Sequence, residues 1–217
     1  MPFTPSERFN AVIAAIDAAN AEDPRRVTVD GVERPFECVY AERMTETLER
    51  MYPDASELLR IAARAQHIRR WEIPRDSYPK GREGYNRWRT ALRRMHADLV
   101  GGIMAEHGYG EDEITRVGRF LRKEALKRDA DSQALENVVD VVFLQHYWDD
   151  FVSRYPDYDD DKLIDIVGKT LRKMSSRGHA AALELDMPEA QRRIVLAAVE
   201  REKDTLAKMA EREIPGV

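Results

Sequence analysis

The amino-acid sequence predicts an all-α protein, a single-domain helical bundle over residues 1–217 with one irregular, proline-containing loop near 72–84. Three observations predict this class. Apolar residues recur at intervals of three and four over most of the chain. Prolines and glycines stand mainly between these stretches, where they end helices. No linker, internal repeat or low-complexity tract divides the chain, and its length suits one large domain.

The helices follow one another with short turns between them. Residues 22–35 differ, because β-branched residues flank Asp30-Gly31 and predict a loop or at most a small hairpin. Asp54 or Ser56 can cap the helix that continues to Trp71. The predicted helices cover, approximately, residues 6–20, 37–51, 56–71, 84–103, 111–127, 134–155, 162–178 and 187–212.

Composition narrows the class of protein. Charged residues make up 35% of the chain and hydrophobic residues 43%, which is typical of a globular protein with a well-solvated surface. The longest apolar run is too short for a membrane span, and polar residues from Ser6 to Asn10 interrupt any secretory signal. Cys38 is the single cysteine, which excludes an internal disulfide and a cysteine-based zinc site. We therefore expect a cytoplasmic protein without a membrane partner.

Charge is distributed unevenly along the chain. Residues 60–94 contain eleven Lys or Arg and three acids, a net charge of +8, while the whole chain carries −5 and the remainder therefore −13. Such segregation focuses a positive potential on one part of an acidic molecule. It favours a pocket for a small anion over a general surface for polyanions. The alternative is that many of these cations pair with acids elsewhere in the fold.

The segment from Arg64 to Trp71 carries the strongest chemical signal. On a continuous helix Arg64, His67, Arg70 and Trp71 would share one face. Neighbouring arginines disfavour the protonated form of His67, and neutral imidazole is what a general base or a metal ligand requires. The alternative is a histidine that is hydrogen-bonded inside the bundle.

The proline-containing excursion that follows resembles a binding loop, because a long polar insertion between helices is often functional. Its cations can donate to phosphate or carboxylate, and its aromatic rings offer flat faces. Tyr85 and Trp88 could instead be core residues of the next helix. The candidate substrate-binding residues of this region are Arg64, Arg70, Trp71, Arg75, Tyr78, Arg82, Tyr85 and Arg89.

Two carboxylates mark the most apolar helix. Glu136 and Asp140 lie four residues apart there, and a buried carboxylate needs a positive partner. That partner could be Lys123, an arginine, a protonated histidine or a divalent metal ion, and a structural salt bridge is the alternative. We take His67, Glu136, Asp140 and Lys123 as catalytic candidates. Lys169 and Lys173 share a helical face that is either solvated or closes the anion site.

The sequence resembles the domain of unknown function 4202 family over most of its length. No established activity comes with this resemblance. Its most specific part is the stretch from Gln66-His67-Ile68 to Trp88-Arg89. Other matching motifs are Asp23-Pro24-Arg25, Arg43-Met44, Ile73-Pro74-Arg75, Tyr78-Pro79, Gly81-Arg82, Gly84-Tyr85, Leu135-Glu136, Val142-Phe143-Leu144, Lys169-Thr170 and Lys173-Met174-Ser175.

The order of features is also similar, more distantly, to the all-α histidine–aspartate metal phosphohydrolase superfamily. That resemblance implies His67 and His96 as ligands of a divalent metal ion. The chain departs from the family's pattern at two places. Asn137 follows Leu135-Glu136 where the family has an aspartate, and His96 and Asp98 are not adjacent.

The leading functional hypothesis is a hydrolase-like enzyme, with or without a metal ion, that acts on a small phosphorylated or carboxylated metabolite. The second is a non-catalytic anion-binding or sensor module that uses the same basic residues. The third is an RNA- or tRNA-associated protein, which the acidic net charge disfavours. The sequence has no glycine loop for phosphate, no dinucleotide fingerprint and no nucleophile elbow.

Overall fold

The structure is a computed structural model that describes residues 3–214. Between these residues it has ten α-helices, two 3-10 helices and one two-stranded hairpin, so the all-α prediction is confirmed. The chain divides into two compact units, residues 1–125 and 126–217, and each is described by itself. That both units form a single domain stays a prediction.

The first unit begins with a helix, a hairpin and two further helices, and two short 3-10 helices precede its last two helices. Its elements are α1 Glu7–Ala21, β1 Arg26–Val29, β2 Val32–Pro35, α2 Phe36–Met51, α3 Glu57–Arg64, 3-10 helices Arg70–Glu72 and Arg75–Ser77, α4 Arg82–Glu106 and α5 Glu111–Leu121. α3 packs against α1, α2 and α5, and α4 packs against α5.

Local signals in the sequence explain several of these boundaries. The hydroxyls of Ser6 and Ser56 accept hydrogen bonds from backbone N–H groups three residues on, so they cap α1 and α3. β1 and β2 pair as antiparallel strands, and Asp30 and Gly31 both have positive φ, as a tight two-residue hairpin turn requires. Of the two alternatives predicted for residues 22–35, a loop or a small hairpin, the structure has the hairpin.

The third predicted helix ends earlier than its pattern indicates. α3 stops at Arg64 rather than Trp71, and residues 65–69 form turns. Arg69 has φ 49°, and its backbone N–H donates to the side-chain oxygen of the buried Asn20 at 3.2 Å. Ile68 still reaches the core, so the apolar pattern continues where the helix does not. The prediction of one helical face for Arg64, His67, Arg70 and Trp71 is therefore wrong.

The excursion after this turn lies close to the start of α4. The Trp88 indole N–H donates to the Ile73 carbonyl at 2.8 Å. Gly84 is buried against the excursion, and a Cβ atom there would lie 1.9 Å from the carbonyl oxygen of Pro79. Only glycine allows this approach, so the excursion and the first turn of α4 are closely packed.

The second unit is built from five helices. They are α6 Ala130–His146, α7 Trp148–Arg154, α8 Asp160–Leu171, α9 Ser176–Leu183 and α10 Glu189–Ala210. α8 packs along α10, and α6 packs against α9. Asp129 and Asp159 cap α6 and α8 by accepting from backbone N–H groups.

Three predicted helices are interrupted. The helix expected to continue to Lys127 ends at Leu121, because Lys123 and Ala125 have positive φ. The helix predicted over 134–155 starts earlier and breaks at Tyr147, and the helix predicted to reach residue 178 ends at Leu171. Apolar periodicity survives each break, so it does not reveal the break. Within residues 3–214, none of the helices combines the length and apolar character that a membrane crossing requires.

Candidate functional site

A buried carboxyl group, Glu37, anchors the candidate site of the first unit. It lies in the first turn of α2, and its side chain is fully buried. Arg25, just before β1, bridges two acids: its guanidinium lies 2.6 Å from Glu37 Oε1 and 2.8 Å from Asp23 Oδ2. Asp23 also accepts the backbone N–H of Glu37 at 3.0 Å. These contacts fix the orientation of the Glu37 carboxyl group.

The second carboxyl oxygen of Glu37 faces His67. Glu37 Oε2 and His67 Nδ1 are 3.5 Å apart, and neither atom has a hydrogen-bond partner. The imidazole stacks on the ring of Tyr40, with centroids 3.9 Å apart and planes inclined by 13°. The His67 side chain is 23% exposed although Nδ1 is buried, so its accessible part is another edge of the ring.

A second histidine lies beside the first. His96 comes from α4 and is 3% exposed, and its ring centroid is 6.1 Å from that of His67. His96 Nε2 and Gln66 Oε1 are also buried without hydrogen-bond partners. An unsatisfied buried polar atom costs on the order of 1–3 kcal/mol, so such atoms are uncommon in native proteins. Several of them on neighbouring residues are typical of a site that a ligand completes.

The charge state of the site follows from burial and from nearby cations. Burial raises the pKa of Glu37 to about 7, although the hydrogen bond and charge of Arg25 oppose the rise. Burial also lowers the pKa of His67 and of His96 well below the usual range. The charges that lower the pKa of His67 further are those of Arg70, Lys123, Arg89 and Arg25. Near neutral pH both imidazoles are neutral, and Glu37 is close to its midpoint.

Arg70 is the cation with the most direct influence on this site. Its guanidinium lies 4.7 Å from the centre of the Trp88 ring, and burial lowers its pKa. No carboxylate in the part of the chain that the structure describes forms an ion pair with Arg70 or with Arg89. Arg89 donates to the hydroxyl of Tyr85 at 3.3 Å. Both arginines keep donors for an anion, and a buried arginine remains charged at neutral pH.

Other residues of the predicted anion site are engaged differently. Arg64 forms a two-point ion pair with Asp17, at 2.6 and 2.7 Å. Arg75 donates to the carbonyls of Tyr78 and Pro79, so it braces the excursion. The Trp71 ring lies 6.0 Å from the Arg69 guanidinium, and Arg82 is an exposed first residue of α4.

The predicted residues of the second unit form their own cluster. Lys173 Nζ lies 3.3 Å from Glu136 Oε1 and forms an ion pair with Asp140. Burial alone would lower the pKa of Lys173, but the two carboxylates outweigh it and the pKa is raised. Lys173 is thus a positive partner of both buried carboxylates, whereas the catalytic roles expected for Glu136, Asp140 and Lys123 stay a prediction. Lys169 pairs with Asp165 at 2.7 Å.

Lys123 belongs to the first unit, where its charge acts on His67. That Glu136 and Asp140 share a cavity with His67 stays a prediction. Among residues 3–214 there is no group of three or more His, Cys, Asp or Glu side chains arranged to hold a metal ion. The metal ion predicted on His67 and His96 likewise stays a prediction.

Sequence analysis missed the residue at the centre of this site. Glu37 looks like an ordinary acid in the first turn of a helix, where acids are favoured by the helix dipole. The available signal was Asp23-Pro24-Arg25, a motif that matched a family without a role being assigned to it. Tyr40, which stacks on His67, lies within the helix predicted over residues 37–51 and carries no chemical signal of its own in the sequence.

The chain matches the model of a protein family. The model of the family described as Domain of unknown function (DUF4202) matches residues 10–195. No curated protein and no solved structure matches the chain.

Proposed function

The chain belongs to the DUF4202 family, and we propose that its first unit holds an acid–base site for a small anionic metabolite, phosphorylated or carboxylated. The proposed reaction class is hydrolysis. One observation carries the proposal: Glu37 Oε2 and His67 Nδ1 are buried 3.5 Å apart without hydrogen-bond partners. The positive charges around them supply the preference for an anion.

The anion-binding part of the proposal rests on Arg70 and Arg89. The positive charges of both arginines lower the pKa of His67. Neither forms an ion pair with a carboxylate among the described residues, so their N–H groups are available. A half-buried guanidinium binds phosphate or carboxylate by two parallel hydrogen bonds, and low local polarity strengthens them. The ring of Trp88, whose centre lies 4.7 Å from the Arg70 guanidinium, offers a flat surface for the rest of the metabolite.

The acid–base part rests on Glu37 and His67. Neutral imidazole can accept a proton from an attacking water molecule at the edge of the ring that is accessible. The resulting imidazolium would be stabilised by the Glu37 carboxylate at Nδ1, as a carboxylate does for histidine in hydrolytic triads. A carboxyl group with a pKa of about 7 exchanges protons readily at neutral pH.

Three alternatives to this proposal differ in what they predict. A non-catalytic sensor would bind the same anions without turnover. A metal-dependent hydrolase of the histidine–aspartate type would contain stoichiometric metal in the purified protein, and replacement of His67 or His96 would remove it. RNA association would appear as strongly salt-dependent retention on RNA.

The binding test is calorimetric titration of the full chain with inorganic phosphate and with a panel of phosphomonoesters and carboxylates. Arg70→Met should weaken the binding of the best ligand by about 10- to 100-fold, the range for a lost charge-assisted hydrogen bond. Arg87→Met is the matched control, an exposed arginine of the same basic segment, and should change affinity by less than about twofold. Equal losses in both variants would contradict a specific site.

The catalytic test uses the ligands that bind. His67→Gln and Glu37→Gln should reduce hydrolysis by about 100-fold or more while affinity stays within a few-fold of the wild type. Binding without turnover in the wild type would support the sensor instead. Turnover that survives His67→Gln would remove His67 from the mechanism.

A further inference from the structure

The second unit contains a cavity that has no part in the proposed function. Its volume is about 480 Å³, within the range of sites for small organic ligands. It lies beside the C-terminal part of α10 and the start of α9. The residues that line it are Lys127, Gln133, Met174, Ser175, Thr205, Lys208, Met209, Arg212, Glu213 and Ile214.

Three cations converge on this cavity without acidic partners. No carboxylate of residues 3–214 forms an ion pair with Lys127, Lys208 or Arg212. The one acid of the lining, Glu213, accepts the backbone N–H of Ser176 at 2.7 Å. Six cations elsewhere in the unit have acidic partners, in the pairs Arg154–Asp150, Lys169–Asp165, Arg172–Glu202, Lys173–Asp140, Arg193–Asp160 and Arg201–Asp161.

A buried polar network holds Ser175, one of the residues that line the cavity. Asn137 accepts the backbone N–H of Ser175 at 2.9 Å, and its own amide donates to Ser175 Oγ at 2.7 Å. Gln133 donates to Asn137 at 3.1 Å and fixes the amide orientation. Ser175 is 3% exposed, and its hydroxyl oxygen accepts the hydrogen bond from the Asn137 amide. The hydroxyl proton is therefore a donor that can serve an anionic oxygen.

The rest of the lining is apolar and adaptable. Met174, Met209 and Ile214 contribute side chains without charge, and methionine adjusts its shape to irregular ligands. Lys127 Nζ lies 3.8 Å from Met209 Sδ, so charge and apolar surface meet within the cavity. A ligand suited to both parts carries an anionic group at one end and an apolar chain or ring at the other.

We propose that this cavity is a binding site for a small amphiphilic anion, with the anionic group at Lys127, Lys208, Arg212 and Ser175 and the apolar part against Met174, Met209 and Ile214. Carboxylate and phosphate share the required chemistry. This site is independent of the acid–base site of the first unit, and it stands whether or not that proposal succeeds.

The test is calorimetric titration of the full chain with octyl phosphate and octanoate, which differ in the anionic group. Octan-1-ol lacks the charge and inorganic phosphate lacks the chain, so both should bind at least about tenfold more weakly than the better amphiphile. Lys208→Ala and Arg212→Ala should each weaken that amphiphile by about threefold, and the double variant by roughly tenfold, as expected for exposed cations. Lys203→Ala is the matched control on the same helix, outside the lining, and should leave the affinity unchanged.

Three outcomes would overturn the proposal. They are no binding of either amphiphile, equal binding of octan-1-ol, and an affinity that the double variant retains. Both variants replace exposed residues, Lys208 in α10 and Arg212 just after it, and circular dichroism establishes that each is folded. The relative affinities of octyl phosphate and octanoate identify the anionic group that the cavity prefers.

Discussion

The two units treat buried acids in opposite ways. In the second unit Glu136 and Asp140 share Lys173, so their charges are compensated by a residue of the same unit. In the first unit Glu37 receives Arg25 at one oxygen only, and its other oxygen faces a neutral imidazole. The pKa of Lys173 is raised, as in a structural ion pair, whereas the pKa of Glu37 is raised to about 7, as in many acid–base sites.

This difference suggests that the Lys173 cluster serves stability and the Glu37 cluster serves function. An ion-paired cluster such as that of Lys173 holds helices together, and removing one member of a buried ion pair is destabilising. An incompletely satisfied cluster such as that of Glu37 costs stability in the free protein and gains interactions when a ligand binds. A substitution in the Lys173 cluster should therefore lower the stability of the free protein, whereas a substitution in the Glu37 cluster should mainly weaken ligand binding or catalysis.

The largest stability effect should come from the compensated cluster. Lys173→Met removes the cation shared by Glu136 and Asp140, and both carboxylates are nearly fully buried. We expect the free energy of unfolding to fall by about 3 kcal/mol, because breaking a buried ion pair by removing one partner is costly. Lys169→Met removes an exposed pair with Asp165 and should cost less than about 1 kcal/mol. Urea denaturation of both variants measures the difference, and equal losses would contradict the comparison.

A smaller effect, visible only against pH, should come from Glu37. Its pKa in the folded protein is about 7, against 4.5 for an ordinary glutamate, so the folded state holds this proton more tightly. Stability contributed by protonated Glu37 is present below about pH 4.5 and is lost as pH rises towards 7. Glu37→Gln should remove this loss. As pH rises from about 4.5 to 7, the free energy of unfolding of the variant should therefore increase by on the order of 1–3 kcal/mol relative to that of the wild type.

The control for this pH effect is Glu42→Gln, a glutamate of the same helix that pairs with Arg34 near the surface. Its stability relative to wild type should change little over the same interval. The two histidines act with the opposite sign, since a lowered pKa costs stability as pH falls below about 6.5. Denaturation curves at pH 5 and pH 7.5 test the prediction, and parallel profiles for Glu37→Gln and wild type would contradict it.

The smallest effect should come from Arg70. Arg70→Met removes a cation that burial disfavours and that has no ion-pair partner in the described range, and it loses a cation–π contact with Trp88. The unfolding free energy should therefore stay within about 1 kcal/mol of wild type. Arg60→Met is the informative contrast, because Arg60 is buried and donates to Glu49, Pro53 and Ala55. Its loss should exceed that of Arg70→Met in the same urea titration.

Local signals predicted much of the fold. Ser6 and Ser56 begin their helices, and the Asp30-Gly31 turn forms the hairpin, because caps and turns depend on neighbouring residues. The ends of α3 and of α8 could not be predicted, since apolar residues remain buried beyond both. At Arg69 the decisive contact is with Asn20, far away in the sequence.

The site was predictable only in part. The basic neighbours indicated a neutral His67, and its lowered pKa agrees with that expectation. The position of Glu37 beside it depends on how α2 packs, which no periodicity in the sequence encodes. Arg64 was expected beside His67 but pairs with Asp17, because the helix that would have aligned them ends.

Because Gly84 lies so close to Pro79, a substitution at Gly84 can change the conformation of the excursion without changing its charge. Replacing the glycine by alanine would insert a methyl group where the Pro79 carbonyl now lies, and the carbonyl would have to move away from α4. Arg75 donates to the same carbonyl, so the displacement would spread through the segment while every basic side chain stayed in the sequence. A hydrogen atom at one α-carbon thus determines how tightly this loop can lie on the helix.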